Sequence, residues 1–505
     1  MRNRDQELTA TVMTIRACVR CSAAFALLAL AIAAHRPAVA GLLAADLGPE
    51  VTLAQPSGGY VGRMAVTPEH GPIGTPVTVT AEGLPAEQEF DLVWTTVKGS
   101  WKVANAEYHG REYSRAAYRI ATVKTDPAGR ASANFTAPED FGFLHDIVFQ
   151  REGRLFTQTA FNLDMTVKLS PESGPPGTPI TIEAKGIGWR NLQNSYVLLY
   201  DNNFTGWMSA VTTGGSATYT IPAAGKPGLH VIELLHADFT FAYRNMQQSP
   251  EPDRPRFALQ FAITDGPPVL PLPPERQIQT RVRGLPEAAE LIVTPRFSIV
   301  YQPVLVSGSG FEPGKSYQLN WTTVIGNRVA AGGGGWEESS KVIAESKADS
   351  GGQVEFRFNT PDDLGGWHGL WIDVGSDKKR ATHWIAPTAL PLDVGRGPVG
   401  TTFKVHLKGV GWTETANIYT VVYDNNYIGY ACAFNSQGDV EIFLKATGEP
   451  GWHFVDLYPA IYKGKEARPL NFRIPQLTYA DDHPGEDLPR FRFAFEVTGP
   501  NPVGQ

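Results

Sequence analysis

The chain repeats itself at a spacing of 223 residues, and this duplication limits the folds that it can adopt. The segment Tyr-Asp-Asn-Asn-Phe-Thr-Gly at 200–206 returns as Tyr-Asp-Asn-Asn-Tyr-Ile-Gly 223 positions later. Gly-Ile-Gly-Trp at 186–189 and Pro-Gly-Leu-His at 227–230 recur at the same spacing. A register shared over this length means that one structural plan is used twice. A feature present in both copies is then either part of the fold or a site that occurs twice.

Each copy divides again into two related halves. A Gly-Pro turn opens three of the four halves, at 71–76, 174–179 and 397–401, whereas Phe-Ser-Ile-Val at 297–300 replaces it in the remaining one. Such turns feed strands, because Gly permits positive φ and Pro fixes its own φ. Short alternating runs such as 404–407 are typical of half-buried strands. The sequence therefore predicts an all-β fold of four tandem immunoglobulin-like antiparallel β-sandwiches in an A-B-A-B arrangement.

The same patterns predict the boundaries along the chain. A basic stretch, an apolar run over 22–34 and the small-residue site Ala-Val-Ala at 38–40 indicate a signal peptide. Gly-Pro-Pro-Val-Leu-Pro-Leu-Pro-Pro at 266–274 indicates an extended, semi-rigid polyproline spacer. We expect a signal peptide at 1–40, unit A1 at 60–163, unit B1 at 164–265, a Pro-rich linker at 266–285, unit A2 at 286–388 and unit B2 at 389–499.

Composition excludes several classes of function. A net charge of −7 with few basic clusters gives no electrostatic footprint for nucleic acid. After the predicted signal peptide the sequence shows no second apolar run of membrane-spanning length, so we expect a periplasmic or extracellular protein. Cys432 is the single cysteine after that segment, so no internal disulfide is expected. Metal-ligand spacings and cofactor motifs are missing, and we expect no metal or cofactor.

A Gly-x-His or Gly-x-x-His pattern ahead of an apolar strand occurs once in each half, at His145, His230, His368 and His453. Because catalysis needs one competent site rather than four, we interpret these histidines as structural. Together with the Gly-Pro-Pro-Gly-Thr-Pro turn and Gly-Ser-Gly-Phe-Glu-Pro-Gly at 308–314, they resemble bacterial immunoglobulin-like repeats of the IPT/TIG kind. That resemblance implies stalk, adhesion or accessory-binding roles and implies no catalytic residues.

The duplicated Asp-Asn-Asn segments follow a strand in both copies and predict hairpin turns. Their oxygen atoms also suit a sugar, a peptide or Ca²⁺, although one carboxylate per copy is a thin supply for calcium. Trp207 and Tyr430 are near enough in sequence to stack on a ligand.

Long loops precede the last strand of each B unit, at about 236–254 and 459–487. Loops of this length are usually functional or disordered, and the second loop has the aromatic and Arg content found at interfaces. The alternative is a loop folded back over the edge of its own sandwich. The predicted ligand-binding residues are Asp201, Asn202, Asn203, Trp207, Asp424, Asn425, Asn426, Tyr430, Tyr462, Arg468 and Tyr479.

The function that this sequence favours is a secreted, non-catalytic binding or adhesion module for a protein or polysaccharide ligand at the cell surface. A purely structural spacer of the cell envelope is the alternative. A hydrolase that uses Asp201 with His230, or Asp424 with His453, is less favoured, because no motif selects a reaction.

Overall fold

A computed structural model describes residues 47–55, 58–238, 241–242, 244–248, 254–278, 282, 290–327, 335–462 and 473–499. The predicted signal peptide, Arg468 and part of the predicted linker lie outside these residues. Within them the elements are strands and three short 3-10 helices, at Met246–Gln248, Pro274–Arg276 and Phe434–Ser436.

Both A units are two-layer sandwiches of a three-stranded and a five-stranded sheet. The strands of A1 are β1 (Arg63–Thr67), β2 (His70–Gly71), β3 (Pro76–Glu82), β4 (Glu89–Ala104), β5 (Glu107–Lys124), β6 (Ala131–Thr136), β7 (Phe143–Arg151) and β8 (Arg154–Leu163). Those of the B1 unit that follows are β9 (Thr166–Ser170), β10 (Ser173–Gly174), β11 (Pro179–Lys185), β12 (Tyr196–Tyr200), β13 (Asn203–Met208), β14 (Ala217–Pro222), β15 (Gly228–Asp238), β16 (Phe241–Ala242) and β17 (Phe257–Ile263). The sheet orders in A1 are β1-β3-β6 and β2-β8-β7-β4-β5.

The second copy repeats this plan. The strands of A2 are β18 (Ile292–Thr294), β19 (Phe297–Ser298), β20 (Pro303–Gly308), β21 (Ser316–Asn327), β22 (Gly335–Lys347), β23 (Val354–Asn359), β24 (Gly366–Val374) and β25 (Asp377–Ile385). Those of B2 are β26 (Thr388–Ala389), β27 (Arg396–Gly397), β28 (Thr402–Lys408), β29 (Ile418–Tyr423), β30 (Asn426–Cys432), β31 (Val440–Lys445), β32 (Gly451–Pro459) and β33 (Phe491–Val497). The larger sheets run β19-β25-β24-β21-β22 in A2, β10-β17-β15-β12-β13 in B1 and β27-β33-β32-β29-β30 in B2.

Alternating side chains explain the sandwich layers. In β3, Val77, Val79 and Ala81 are buried between the sheets, while their neighbours in the strand are less buried. Trp94 and Trp321, which the sequence places in strand centres, are fully buried in the cores of A1 and A2. The predicted antiparallel pattern is confirmed with one departure: short edge strands such as β2 pair parallel to the last strand of their unit. The chain is thus four tandem immunoglobulin-like β-sandwiches in an A-B-A-B order.

The A and B units of one copy meet where two backbones approach closely. A Cβ atom on Gly365 would lie 1.9 Å from the carbonyl oxygen of Gly409, so only glycine fits there. The Gly365 N–H donates to the Val410 carbonyl at 3.0 Å. Gly142 makes the same approach to Gly186 in the first copy. The repeated Gly-x-Gly-Trp motif is therefore the junction between an A unit and the B unit that follows it.

The two copies pack against each other around an approximate two-fold axis. Phe204 lies 6.2 Å from Tyr427, the residue 223 positions later, measured between ring centroids. Lys226 pairs in the same way with its own equivalent, Glu449, at 3.4 Å. Contact between equivalent residues is the signature of a two-fold, isologous interface. Strands β12 and β29 are buried along their whole lengths, because their outer faces meet this interface as well as their own cores.

The linker is bound to this interface rather than extended away from it. The Val269 N–H donates to the Pro176 carbonyl of B1 at 2.8 Å. The side chain of Gln277 brackets the backbone of Arg492, accepting from its N–H at 2.7 Å and donating to its carbonyl at 2.8 Å. The described part of the linker therefore contacts both B units, and Pro273 has the extended polyproline dihedral angles that the sequence predicts, φ −55° and ψ 145°.

A candidate functional site: the tryptophan-lined cleft

The Asp-Asn-Asn segments form hairpin turns, as the sequence predicts. Asp201 and Asn202 have φ of 49° and 67°, the left-handed values of a two-residue hairpin. Asp201 also accepts hydrogen bonds from His230 Nδ1 at 2.6 Å and from the Val231 N–H at 2.9 Å. Each carboxylate oxygen therefore accepts a hydrogen bond from the chain itself, while the side chain remains 39% exposed.

The second turn adopts the same geometry. Asp424 accepts from His453 Nδ1 at 2.5 Å and from the Phe454 N–H at 2.8 Å. Asn425 is buried between the B units, where its side-chain amide donates to the Pro222 carbonyl at 2.8 Å. Asn202, Asn203 and Asn426 are exposed on the turns.

Two of the predicted ligand-binding aromatics are interior residues. Trp207 is 1% exposed, and its backbone exchanges hydrogen bonds with Pro475 and Leu477 from the long loop of B2. Tyr479 is also buried, with its hydroxyl within 3.1 Å of the carbonyl oxygens of Thr415 and Glu486. These aromatics hold the loop in place, and neither presents a ring face to solvent.

Tyr430 and Tyr462 come together around an arginine that the sequence analysis did not single out. The guanidinium of Arg473 lies 5.5 Å from the ring centroid of Tyr430 and 4.7 Å from that of Tyr462. Arg473 also donates to the Tyr430 hydroxyl at 3.2 Å and to the Tyr462 carbonyl at 2.9 Å. A cation of the chain itself thus covers one face of each ring, while Tyr430 remains 43% exposed.

The long loop of B2 packs on its own unit through Tyr479 and also crosses to the first copy. Asp482 is buried there and accepts hydrogen bonds from the backbone N–H groups of Val211 and Thr212, at 2.8 and 2.9 Å, and from the Thr212 hydroxyl at 2.7 Å. It also accepts from the indole N–H of Trp101 at 2.8 Å. One carboxylate therefore ties this loop to both A1 and B1.

Where the loop passes the A2–B2 junction, it forms one wall of a cleft of about 780 Å³. Its other walls include four tryptophans, in two contacting pairs. Trp336 and Trp412 have ring centroids 4.8 Å apart, and Trp367 and Trp384 have centroids 5.1 Å apart. Trp336 is 49% exposed and Trp367 is 36% exposed, so part of each ring is open to solvent.

The tip of the β4–β5 hairpin of A1 completes the cleft. Asn105 and Ala106 form its two-residue turn, with φ of 53° and 64°. Glu414 of B2 holds this tip: its N–H donates to the Ala106 carbonyl at 2.9 Å, and its carboxylate accepts from the Tyr108 N–H at 3.0 Å. The cleft is thus assembled from A1, A2, B2 and the long loop, and it depends on the packing of the two copies.

Polar groups of several kinds share the cleft with the indoles. The carboxyl group of Glu486 lies 3.3–3.4 Å from the hydroxyls of Thr413 and Thr415. Burial raises the pKa of Glu486 above its ordinary value, which favours the uncharged carboxylic acid. His483 Nε2 bonds to Asp487 at 3.1 Å. Among the described residues, His483 Nδ1 and Trp384 Nε1 are buried without a hydrogen-bond partner.

The first copy keeps an aromatic residue at two of these four positions, Tyr113 and Trp189, whose ring centroids lie 6.3 Å apart. Tyr113, Leu144 and Trp189 occupy the positions 223 residues before Trp336, Trp367 and Trp412. Strand pairing places Asn162 opposite Leu144, as it places Trp384 opposite Trp367. Three of the four positions have therefore become tryptophan in the second copy alone.

Sequence reasoning did not identify this site, although a signal was present. Trp412 and Trp367 stand inside the repeated Gly-x-Gly-Trp and Gly-x-His motifs, which were interpreted as punctuation of the fold. A comparison of the copies, position by position, would have shown the enrichment in tryptophan. Among the described residues no group of three or more His, Cys, Asp or Glu side chains is placed to hold a metal ion. The described part of the chain also contains no helix long and apolar enough to cross a membrane.

Comparisons with known proteins add little beyond the fold. No family model matches the chain. No curated protein matches it either. Solved structures that are similar include the Salmonella alpha-2-macroglobulin reacted with methylamine (9% identity, 87% of this chain and 31% of that chain, TM-score 0.18). Invasin, a bacterial integrin-binding protein, has 11% identity over 86% of this chain and 78% of its own, with a TM-score of 0.18. The ICAM-5 D1–D4 ectodomain fragment has 11% identity over 83% of this chain and 99% of its own, with a TM-score of 0.17.

The chain spans about a third of the macroglobulin chain, 31%. At these identities and scores, nothing that these proteins bind is carried over to the present chain.

Proposed function

We propose that this chain is an exported, non-catalytic binding protein that captures its ligand in the tryptophan-lined cleft. The observation that carries the proposal is that three positions, 336, 367 and 384, are tryptophan in the second copy, whereas the equivalent positions of the first copy have other residues. Two of these rings, Trp336 and Trp367, remain partly exposed at a cost in apolar hydration that a ligand would offset. A concave site with aromatic walls and a few polar groups is the usual form of a small-ligand site.

In this proposal the ligand binds in the cleft, whereas the sequence predicted binding at the Asp-Asn-Asn turns and the long loops of the B units. The long B2 loop keeps its part in this function, because residues 483–487 line the cleft while Asp482 holds the loop against the first copy. The signal peptide, the IPT/TIG affiliation and a location outside the cytoplasm belong to the same proposal.

The non-catalytic part of the proposal draws support from the Asp–His pairs. The two ring nitrogens of His230 contact Asp201 and the Lys226 carbonyl, and those of His453 contact Asp424 and the Glu449 carbonyl. Neither ring has a nitrogen free to accept a proton from a substrate. Turnover by the wild-type protein in a hydrolase panel, lost in Asp424→Asn, would revive the hydrolase hypothesis.

The spacer alternative is not favoured by the packing of the described units. A spacer gains reach from units arranged end to end, whereas the B units here pack side by side, with β13 of B1 in contact with β30 of B2. The linker adds hydrogen bonds to this compact arrangement at Gln277.

A screen of the full chain against glycan and peptide arrays tests the proposed function. The matched variant combines Trp336→Tyr with Trp367→Leu, which restores the residues of the first copy at two solvent-exposed positions. A control variant, Leu144→Ala, changes the first-copy equivalent of Trp367. We expect the wild-type protein and the control to retain a common ligand that the double variant loses. Binding that is identical in all three proteins would refute the cleft as the binding site.

A further inference from the structure

We infer that the ligand of the tryptophan-lined cleft is an uncharged glycan, with pyranose rings stacked on Trp336 and Trp367 and hydroxyls bonded to the half-buried Thr413 and Glu486. This inference rests on the proposed function and specifies its ligand. It selects one of the two ligand classes, protein and polysaccharide, that the fold alone leaves open.

The aromatic walls supply the first argument. An indole is a flat, rigid surface with a negative face, and the axial C–H bonds of a pyranose present a flat, weakly positive face of similar width. Trp336 and Trp367 are the cleft tryptophans with the largest open ring area, while Trp384 is 2% exposed and supports Trp367 from behind. Rigid rings backed by a second ring lose little conformational entropy when a ligand stacks on them.

The polar groups supply the second argument. The hydroxyl of the half-buried Thr413 can donate and accept at once, as sugar hydroxyls can. Thr415 is 1% exposed, and its hydroxyl donates to Glu486 at 3.3 Å and so positions that carboxyl group. The carboxyl oxygens of Glu486 accept hydrogen bonds, and burial raises the pKa of Glu486, which favours a form whose O–H also donates. The cleft thus places hydrogen-bonding groups beside flat indole rings. A sugar has the complementary arrangement, with hydroxyls around the edge of a flat ring.

The same groups argue against the other ligand classes. A cage for an organic cation combines aromatic faces with ionised carboxylates, whereas burial disfavours the ionised form of Glu486. A peptide that adds a strand is bound mainly through main-chain hydrogen bonds along a sheet edge, whereas the most exposed tryptophans of this cleft, Trp336 and Trp367, present indole rings.

Isothermal titration of the full chain with cellohexaose, chitohexaose, xylohexaose and maltohexaose tests the inference. We expect at least one of these uncharged oligosaccharides to bind, and Trp367→Leu and Trp336→Tyr each to weaken it about tenfold or more. Leu144→Ala should bind as the wild-type protein does. Equal thermal unfolding temperatures for the four proteins would establish that weaker binding does not reflect misfolding.

Two outcomes would overturn the inference, and they differ in what they imply for the proposed function. If no glycan on the array or in the panel binds, but a peptide binds and is lost with Trp367→Leu, the ligand class is wrong and the cleft stands. If an oligosaccharide binds equally to the wild-type protein and both tryptophan variants, both the inference and the cleft as the site are wrong.

Discussion

Trp101 in unit A1 donates its indole N–H to Asp482 in unit B2 at 2.8 Å, across a sequence separation of 381 residues. This bond and the three donors from Val211 and Thr212 make Asp482 the anchor of the long loop. The loop reaches the cleft immediately afterwards, at His483. The carboxylate of Asp482 therefore both stabilises the packing of the two copies and positions the loop that lines the cleft.

Replacing Asp482 with Ala should destabilise the protein by about 3 kcal/mol or more, because several buried donors lose their acceptor at once and each costs about 1–3 kcal/mol. The midpoint of urea denaturation measures the change. Asp481→Ala is the matched control, since Asp481 is the exposed neighbouring acid. An Asp482→Ala midpoint equal to that of the control would show that the anchor contributes nothing.

Replacing Arg492 with Ala should cost about 3–5 kcal/mol, because it leaves the buried carboxylate of Asp456 without its partner. The two side chains, both in B2, form a bidentate pair at 2.6 and 3.1 Å. Arg492 also donates to the Thr220 carbonyl of B1 at 3.3 Å. Asp456 pairs with Arg492 in the sheet of B2, and the equivalent pair in B1 is Glu233 with Ala258. Alanine is therefore the residue that the first copy has at the position of Arg492. The double variant Asp456→Asn, Arg492→Ala should lose less stability than Arg492→Ala alone in chemical denaturation. A larger loss in the double variant would contradict the buried-charge explanation.

The pKa of His453 should lie above its ordinary value of 6.5. Burial alone lowers this pKa, but the hydrogen bond and the charge of Asp424 outweigh burial and raise it. A raised pKa in the folded state stabilises the protein below pH about 6.5, and this contribution is lost as the pH rises through the folded-state pKa. Asp424→Asn should lower the pKa and remove this pH dependence. An NMR titration of the His453 ring checks both, and an unchanged pKa in Asp424→Asn would exclude Asp424 as the cause.

Glu486 should make both ligand binding and stability fall as the pH rises. Burial raises its folded-state pKa, so the folded protein retains a proton that the unfolded chain has already lost, and stability declines between the two pKa values. His483, Asp487 and Tyr479 are the titratable groups next to it. Glu486→Gln keeps an uncharged donor and acceptor and should flatten both profiles. Oligosaccharide affinity and the free energy of unfolding are measured for the wild-type protein and Glu486→Gln from pH about 4 to 8. If the two proteins show the same pH dependence, this role of Glu486 is contradicted.

The local features of the fold could be predicted from sequence because they depend on residues close in the chain. Alternation over 404–407 predicted a half-buried strand, which is β28 with Val405 and Leu407 buried, and Asp-Asn predicted the left-handed hairpin turn at 201–202. The role of Trp207 could not be predicted, since it depends on the B2 loop more than 260 residues away. Residues that contact one another across two copies leave no local pattern.

The cleft could be predicted only in part, for the same reason. Its walls come from three units and a loop, so no single window of sequence contains the site. The differences between Tyr113 and Trp336 and between Leu144 and Trp367 are visible in the sequence at the 223-residue spacing. Matching Asn162 with Trp384, which are 222 residues apart, requires the strand register of the structure. That the tryptophans share one cleft follows from the packing of the units, which the sequence alone does not supply.

The most direct test of the ligand cleft is an NMR titration of the indole N–H signals of the 11 tryptophans with the oligosaccharide that binds best. The account predicts that the signals of Trp336, Trp367, Trp384 and Trp412 shift together with one affinity. The signals of the core residues Trp94 and Trp321 should stay in place. Shifts confined to tryptophans outside the cleft would contradict the account.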